Sequence, residues 1–368
     1  MAHSYTVRRG AGGRIKNAFA GLILGPILVF ASIWLLSWNE HRAFERTQAL
    51  KHGQKIVVAG NAEAPFSALD GALVHFTGNL VGIEPVSDDV FGVETDAVAL
   101  RRDVWMYQWV ETRRTTDDTT TYTYSKEWKS RHIESSGFHR SRDYANPPEF
   151  PYPDQTWLAD EIDLGAVPLG ESMRAEIDFF EPMPLPETSA VSGYTPQGEW
   201  LSTVDGEPQI GDTRIRFEIV PEGPASAVGL FEQNALLSYQ TDWGPIALIE
   251  IGIRSSDELF EQAHRENLIT TWLYRFGGVI LAGIGCAIFV SPLTTIVGFV
   301  PLIGPLIRSL GGAMAFGVGA MIAICTIAVA WFAVRPMLSL ALIAAALVIV
   351  GAVRRLGAKG EDQDVPVT

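Results

Sequence analysis

The densest group of side chains that could do chemistry lies in residues 132–143. Three of its members, His132, Glu134 and His139, are residue types that bind transition metals. Ser136 could act as a nucleophile if a histidine and Asp143 activated it. Neither spacing matches a zinc-protease helix or the strand–turn–helix that exposes a nucleophilic serine. We therefore predict no metal, no other cofactor and no catalytic residue. A membrane-tethered enzyme that uses this loop is the alternative.

The chain that must position this group contains four long apolar segments. These segments indicate an integral membrane protein. An uncharged segment of about 20 residues spans a bilayer as a helix, because its backbone groups are then hydrogen-bonded internally. We predict transmembrane helices at residues 18–38, 271–290, 311–334 and 336–353. The remaining parts are a basic N-terminus (1–17), a large domain (39–270), an interfacial segment broken by prolines (291–310) and a C-terminal tail (354–368).

Basic residues at both ends of the chain orient these helices. Arg14 and Lys16 precede the first helix, and Arg354 and Arg355 follow the last. By the positive-inside rule both termini are cytoplasmic, and the large domain lies on the other side of the membrane. It would face the periplasm in a bacterium, or the lumen of the endoplasmic reticulum and nuclear envelope in a eukaryote. Arg275, near the start of the second helix, is predicted to extend its guanidinium to the outer interface.

The charge pattern excludes several classes of function. The chain has 28 Lys+Arg and 42 Asp+Glu, and the acidic residues concentrate in the large domain. A nucleic-acid partner is not expected, because phosphate binding needs a basic surface. The interiors of the predicted membrane helices contain no charged residue, which argues against a transporter or channel. Cys286 and Cys325 both lie in these helices, so the large domain contains no disulfide.

Within the large domain, the alternation of aromatic and polar residues predicts a long β-hairpin. Trp105, Tyr107 and Trp109 alternate with other residues in one segment, and Tyr122, Tyr124, Lys126 and Trp128 alternate in the next, with a polar turn between the two. One face of the hairpin then carries an aromatic ladder of Trp105, Tyr107, Trp109, Tyr122, Tyr124 and Trp128. This ladder is the candidate partner-binding face, suited to an extended peptide or a lipid headgroup. Packing inside the domain is the favoured explanation of the same residues.

Other patterns complete a mostly β domain. Further strands are predicted at residues 55–58, 73–81, 214–219 and 246–253, with a break near Gly193 that would divide two small sheet or barrel modules. A helix at residues 39–52 is predicted to end at Gly53, and Ser255 with Glu258 forms a capping box that begins another. These two membrane-proximal helices either pack together as a stalk or lie separately at the interface.

Small residues in the membrane helices permit close contact between helices. Gly21 and Gly25 lie one turn apart in the first helix. Because this helix is distant in sequence from the others, we predict that these two glycines contact a second chain. The alternative is packing among the chain's own helices, which is favoured for the glycines of the second and third helices.

Several short motifs resemble those of the transmembrane protein 43 family, also called LUMA. They are residues 37–40 (SWNE), 106–111 (MYQWVE), 124–128 (YSKEW), 146–148 (NPP) and 331–336 (WFAVRP). Their order and the arrangement of one plus three membrane helices extend the resemblance over nearly the whole chain. The family implies a large lumenal domain between an N-terminal helix and three C-terminal helices. Its animal members occupy the inner nuclear and endoplasmic reticulum membranes, self-associate and organise membrane protein complexes. The resemblance brings no catalytic residue.

The sequence thus predicts an integral membrane α-helical protein with four transmembrane helices and a large β-rich extracytoplasmic domain. Its predicted function is that of a non-enzymatic membrane scaffold. Its predicted partners are membrane lipids, other membrane proteins and further copies of itself.

Overall fold

The computed structural model of the chain describes residues 3–8, 11–65, 67–116, 119–185, 191–297 and 304–334. By internal contacts the chain divides into two units. A β-rich unit comprises Met1–Gly10 and Ala49–His264, and a helical unit comprises Ala11–Gln48 and Arg265–Thr368. The predicted division between a β-rich domain and membrane helices is therefore observed.

Three long helices in the described part of the chain are long and apolar enough to cross a membrane. In chain order the helices are α1 (Ala11–Ile56), the short α2 (Glu171–Arg174), α3 (Ser256–Val297) and α4 (Gly304–Val334). The first three predicted membrane helices lie within α1, α3 and α4. The fourth, at residues 336–353, and the tail at 354–368 lie outside the described residues. Residues 291–297 continue α3, and 304–310 begin α4.

Gly53 does not end the first helix, contrary to the prediction. Helix α1 continues through it to Ile56, so the strand predicted at residues 55–58 is wrong, and only Val58–Ala59 is extended. A Cβ atom on Gly53 would lie 2.5 Å from Ile246 Cδ1 and 3.1 Å from the Phe260 ring. The glycine is therefore required for close packing rather than for helix termination.

The predicted capping box at the start of α3 is confirmed. Ser255 N–H donates to the Glu258 carboxylate (2.7 Å), and Glu258 N–H donates to Ser255 Oγ (3.3 Å). The first turns of α3 and the last turns of α1 share one buried cluster, which includes Ala49, Leu50, Leu259, Phe260 and Ala263. The two membrane-proximal helices thus pack together, as one of the two alternatives proposed.

Most of the β-rich unit consists of two antiparallel-dominated sheets. In chain order the strands are β1 (His3–Arg8), β2 (Val58–Ala59), β3 (Ala72–Gly82), β4 (Val86–Asp88), β5 (Val93–Thr95), β6 (Ala97–Thr116), β7 (Thr119–Lys129), β8 (Gln155–Leu158), β9 (Ile162–Leu164), β10 (Val167–Pro168), β11 (Glu181–Pro182), β12 (Thr195–Gln197), β13 (Trp200–Ser202), β14 (Thr213–Pro221), β15 (Gly223–Glu232), β16 (Ala235–Leu237), β17 (Tyr239–Thr241), β18 (Gly244–Ile246) and β19 (Leu248–Ile251). The larger sheet has the order β1-β7-β6-β14-β13-β12, with β8 and β11 paired to β6 and β14. The other has the order β10-β9-β3-β15-β16, with β2 and β19 paired to β3 and β15.

The two sheets share one hydrophobic core, so the predicted division near Gly193 is wrong. The core contains Phe76 of β3, Val104 of β6, Phe217 of β14 and Ala227 of β15. Each sheet takes strands from both sides of Gly193, because β6 pairs with β14 and β3 pairs with β15. The strands predicted at residues 73–81 and 214–219 are confirmed within β3 and β14.

A buried ion pair lies within this unit. Arg102 and Asp88 are 1% and 0% exposed, and Arg102 Nη1 lies 2.5 Å from Asp88 Oδ2. The other Asp88 oxygen accepts hydrogen bonds from the backbone N–H groups of Val90 and Phe91. Arg102 also lies 5.2 Å from the ring centroid of Trp157. Burial of two charges is tolerated here because each is paired and hydrogen-bonded.

Strand β1 was not predicted, and its pairing bears on the topology. It pairs with β7 from His3 opposite Tyr124 to Arg8 opposite Thr119. If the N-terminus is cytoplasmic and α1 crosses the membrane, β1 and β7 lie on opposite sides of the bilayer. The strand pairing places the residues before α1 on the same side of the membrane as β7, whereas the positive-inside rule places them in the cytoplasm.

Thiol labelling distinguishes these two arrangements. In a chain whose native cysteines are replaced by serine, we expect a cysteine at the exposed Asp205 to react with a membrane-impermeant maleimide in intact cells. By the charge rule, cysteines at Gly10 and Gly360 should react only after permeabilisation. Labelling at position 10 in intact cells would instead favour the β1–β7 pairing. Labelling at position 360 without labelling at position 10 would indicate an odd number of membrane helices.

Candidate functional site

The predicted aromatic ladder lies on one face of the larger sheet. Strands β6 and β7 place Tyr107 opposite Trp128, Trp109 opposite Lys126 and Glu111 opposite Tyr124. The alternate residues of β6, which include Val104, Met106 and Gln108, are buried on the other face. The alternation in the sequence therefore correctly predicted which residues share a face, because side chains of a strand alternate between the two sides of a sheet.

One part of the ladder packs against the loop at residues 131–147. Tyr124 is fully buried, and its ring stacks on Tyr144 with 3.8 Å between centroids. Trp109 contacts the same Tyr144 ring edge-to-face at 4.8 Å, and Tyr122 stacks on His139 at 4.3 Å. Tyr124 is consequently removed from the accessible face, and the ladder reaches solvent mainly through half-buried rings. Partner binding by the ladder stays a prediction.

Two amide side chains hold this loop on β6. Asn146 Oδ1 accepts from Trp109 N–H (2.7 Å), and its amide nitrogen donates to the carbonyls of Trp109 (3.0 Å) and Ile133 (3.1 Å). Gln108, 0% exposed, accepts from Ile133 N–H (2.8 Å) and donates to the Arg131 carbonyl (3.1 Å). Three motifs of the family resemblance, at residues 106–111, 124–128 and 146–148, thus contribute residues to the contact between this loop and the sheet. The spacing of the motifs in the sequence did not reveal this role.

A chain of hydrogen bonds through Glu111 completes the attachment. The Tyr124 hydroxyl donates to Glu111 Oε2 (2.6 Å), which also accepts from His139 N–H (2.7 Å). Burial, reinforced by the bond to Glu111, raises the pKa of Tyr124 to about 12. The phenol therefore stays neutral and remains a donor throughout the physiological pH range.

Among the possible catalytic residues of this loop, His132 and Asp143 contact residues outside the set, whereas Glu134 and Ser136 contact each other. His132 Nε2 lies 2.7 Å from the Pro147 carbonyl, and Asp143 pairs with Arg140 at 2.7 Å. Glu134 accepts from Ser136 N–H at the start of a short 3₁₀ turn, and hydrogen bonds from Ser136 lower the pKa of its carboxyl. In the part of the chain that the structure describes, no three His, Cys, Asp or Glu residues form a group that could hold a metal. These contacts hold the loop in its conformation.

Next to the ladder lies a cluster that sequence analysis missed. The guanidinium carbon of Arg214 on β14 lies 4.2 Å from the ring centroid of Trp200, 4.6 Å from that of Trp128 and 5.2 Å from that of Trp105. We call these four residues the arginine–tryptophan cluster. The signal was present in the sequence: in the strand predicted at residues 214–219 the apolar Ile215 and Phe217 alternate with Arg214 and Arg216, so the two arginines share the opposite face.

An ion-pair network continues along the same face. Glu218, 6% exposed, receives Arg216 at 2.6 Å and a short contact from Arg101. Arg216 also lies 3.3 Å from Asp103. These residues alternate with core positions on β6 and β14, so their charges are partly desolvated and paired across strands.

In the helical unit, Glu40 joins three helices. Its carboxylate accepts from Arg275 Nε (2.6 Å) and Nη2 (2.7 Å) on α3 and from Trp331 Nε1 (2.8 Å) on α4. We call Glu40, Arg275 and Trp331 the helix clamp. The side chains of Glu40 and Arg275 are 3% and 14% exposed. The guanidinium of Arg275 therefore has a carboxylate partner on α1, and its place at the outer interface stays a prediction.

Further polar contacts between α1 and α3 surround the helix clamp. Asn39 donates to the Thr271 carbonyl (3.2 Å), and Arg42 donates to Asn267 Oδ1 (3.2 Å). Asn267 in turn donates to the Ala43 carbonyl (3.0 Å). Buried polar groups of membrane helices need such partners, since each unsatisfied group would be costly in hydrocarbon.

The two predicted contact glycines face α3 of the same chain. A Cβ atom on Gly21 would lie 2.7 Å from the Ile288 carbonyl oxygen, and one on Gly25 would lie 2.7 Å from the Gly285 carbonyl oxygen. The alternative, packing among the chain's own helices, is what the structure contains. A contact between chains at Gly21 and Gly25 would have to displace α3.

An apolar cavity of about 400 Å³ lies beside this contact. Residues of all three long helices line it: Pro26, Val29, Phe30, Cys286, Phe289, Val290, Ala315, Val318 and Ile322. A cavity of this size and lining is chemically suited to a hydrocarbon chain.

Comparison with known proteins identifies relatives over most of the chain. The family model described as Transmembrane protein 43 matches residues 106–336. The Transmembrane protein 43 homolog of Drosophila melanogaster is 30% identical over 348 residues, which cover 88% of this chain and 91% of the relative. Transmembrane protein 43 of Rattus norvegicus is 29% identical over 353 residues, with coverages of 88% and 87%. That of Homo sapiens is 28% identical over 364 residues, with coverages of 91% and 90%. No solved structure matches the chain.

Proposed function

The chain belongs to the transmembrane protein 43 family, and from this premise we propose that it is a non-enzymatic membrane scaffold. In this proposal it self-associates and presents its β-rich unit to membrane protein partners outside the cytoplasm. In eukaryotic relatives the corresponding role would be organisation of complexes in the endoplasmic reticulum and nuclear envelope. In a bacterium it would be organisation of the inner membrane.

The observation that carries the proposal is the outward face of the larger sheet. Its other face packs in the core, whereas Trp105, Tyr107, Trp128 and Trp200 remain half-buried on this one. Aromatic residues and arginines are enriched at protein interfaces, where rigid rings supply contact area at low entropic cost. A face that combines them supports a role in binding.

The helical unit supports the membrane part of the proposal. The helix clamp fixes α1, α3 and α4 to one another, which a scaffold requires more than an enzyme anchored by a single helix. The apolar cavity supports membrane lipids as additional partners, since its lining offers hydrocarbon contacts.

A matched pair of tryptophan variants tests the binding face. Trp128→Ser removes a half-buried ring from this face. Trp243→Ser removes a half-buried ring that packs on the buried cluster shared by α1 and α3. We expect affinity purification from native membranes to lose partner proteins with Trp128→Ser and to retain them with Trp243→Ser. Quantitative mass spectrometry measures the difference. Equal recovery from both variants would contradict a binding role for this face.

Self-association is tested on the wild-type protein in the same preparations. Chemical crosslinking in the membrane and native-size analysis in mild detergent should both give an oligomer. A monomer by both measurements would contradict the scaffold proposal, whatever the tryptophan variants do.

A further inference from the structure

Arg214 has an environment unlike that of its neighbour on the same strand. Its guanidinium contacts the π faces of Trp105, Trp128 and Trp200. Such contacts attract the cation to the ring faces without using any N–H donor. The planar fork of a guanidinium therefore remains available for an acceptor, while the rings restrict its rotamers and its orientation.

Arg214 has no counter-charge among the residues that the structure describes. Within the described residues, no carboxylate lies within ion-pair distance of it, and no hydrogen bond to its guanidinium is formed. Its Nε atom is buried and has no hydrogen-bond partner, which is also true of Arg216 Nε, so the two arginines differ in their ion pairs and not in this atom. By contrast, Arg216 contacts both Asp103 and Glu218. Burial, and secondarily the charge of Arg216, lower the pKa of the Arg214 guanidinium. An unpaired and partly desolvated cation is stabilised by an incoming anion.

We propose that Arg214 binds a single carboxylate, presented by an aspartate or glutamate side chain in an extended segment of a partner protein. The fork of the guanidinium receives the two carboxylate oxygens. The three indoles pack against the apolar residues that flank the acidic one. This assignment rests on the proposed binding function of the same face, and names the chemistry that the partner must offer.

The charges around the site favour a carboxylate over a phosphate. A single guanidinium carries one positive charge, which matches a monoanion, whereas a phosphate carries up to two negative charges. Arg216, whose charge acts on Arg214, is already paired with two carboxylates. The chain as a whole has a formal net charge of −14, which disfavours a dianion more than a monoanion.

Chemical modification of arginine tests the proposal on the wild-type full chain in detergent. Phenylglyoxal modifies accessible guanidinium groups, and peptide mapping by mass spectrometry follows each arginine separately. The probes are acetyl-Leu-Glu-Leu-amide, acetyl-Leu-Gln-Leu-amide and inorganic phosphate. Arg113 is the internal control, because it lies exposed on the same face of β6 over Tyr122.

We expect the glutamate peptide to slow modification of Arg214 and not of Arg113. The glutamine peptide should need a roughly tenfold higher concentration for equal protection, since it lacks the charge-assisted hydrogen bond. The wild-type measurement avoids variants that fail to fold. Arg214→Lys then tests the fork, because lysine keeps the charge but cannot receive two carboxylate oxygens side by side. The glutamate peptide should protect the indoles from fluorescence quenching by acrylamide in the wild type, and this protection should be lost in the variant.

Three results would overturn the assignment. They are equal protection by both peptides, protection by phosphate alone, and no protection by any probe. Native-size analysis of the same samples separates this inference from the proposed function. An oligomer without peptide protection refutes only the carboxylate site, and a monomer with peptide protection refutes only self-association.

Discussion

Replacement of Asp88 by alanine should lower the free energy of unfolding of the β-rich unit by about 3–5 kcal/mol, because it leaves the buried Arg102 without its counter-charge. The variant also removes the acceptor for the N–H groups of Val90 and Phe91. Asp88→Asn keeps an acceptor for those groups and removes only the charge. Its free energy of unfolding should therefore lie between those of Asp88→Ala and the wild type. Urea titration of the full chain in detergent, followed by tryptophan fluorescence, measures the change.

Asp89 supplies a matched control for this prediction, since it is the next residue and is exposed. Asp89→Ala should change the free energy of unfolding by less than about 0.5 kcal/mol. The double variant Asp88→Leu with Arg102→Met removes both charges, and should recover a large part of the lost stability. If Asp88→Ala and Asp89→Ala were equally stable, the ion pair would have no role in holding the core.

Glu40→Gln should lower the free energy of unfolding of the helical unit by about as much as Asp88→Ala lowers that of the β-rich unit. The glutamine still accepts from Trp331 Nε1, but Arg275 keeps an uncompensated charge between helices, which costs about 3–5 kcal/mol when a buried pair loses one partner. Two native thiols report the change. Cys286 is buried among the helices and Cys325 is exposed. The rate of alkylation of Cys286 by N-ethylmaleimide, divided by that of Cys325, should rise in the variant. Mass spectrometry in mild detergent measures both rates.

The control for the helix clamp is Glu45→Gln, five residues further along α1. Glu45 pairs with His41 on the surface, with side-chain exposures of 41% and 64%. Exposed pairs contribute little, so this variant should leave the thiol ratio unchanged. An unchanged ratio in Glu40→Gln would indicate that apolar packing alone holds the three helices together.

Local patterns predicted the elements whose cause is local. The alternation around Trp105, Tyr107 and Trp109 predicted the hairpin and the residues that share its face. The Ser255–Glu258 capping box predicted the start of α3. Both signals act over a few residues, so the sequence contains all the information needed to recognise them.

Features that depend on distant residues could not be predicted in the same way. Gly53 looked like a helix end, although it permits the approach of Ile246 and Phe260. Glu40 and Arg275 lie 235 residues apart, and only the packing of α1 on α3 makes them partners. The division near Gly193 failed for the same reason, since pairing of β6 with β14 crosses it. Arg214 is a different case, because strand alternation already placed it outward.

The amide of Asn146 also determines how this protein can aggregate. Pairing of β14 with β6 stops at Met106, so the backbone of Trp109 would otherwise lie on an open sheet edge. The side chain of Asn146 makes the donor and acceptor contacts that a neighbouring strand would make there. An open edge is a template for addition of a strand from another molecule. The Asn146 side chain thereby blocks addition of a strand from another copy at this position.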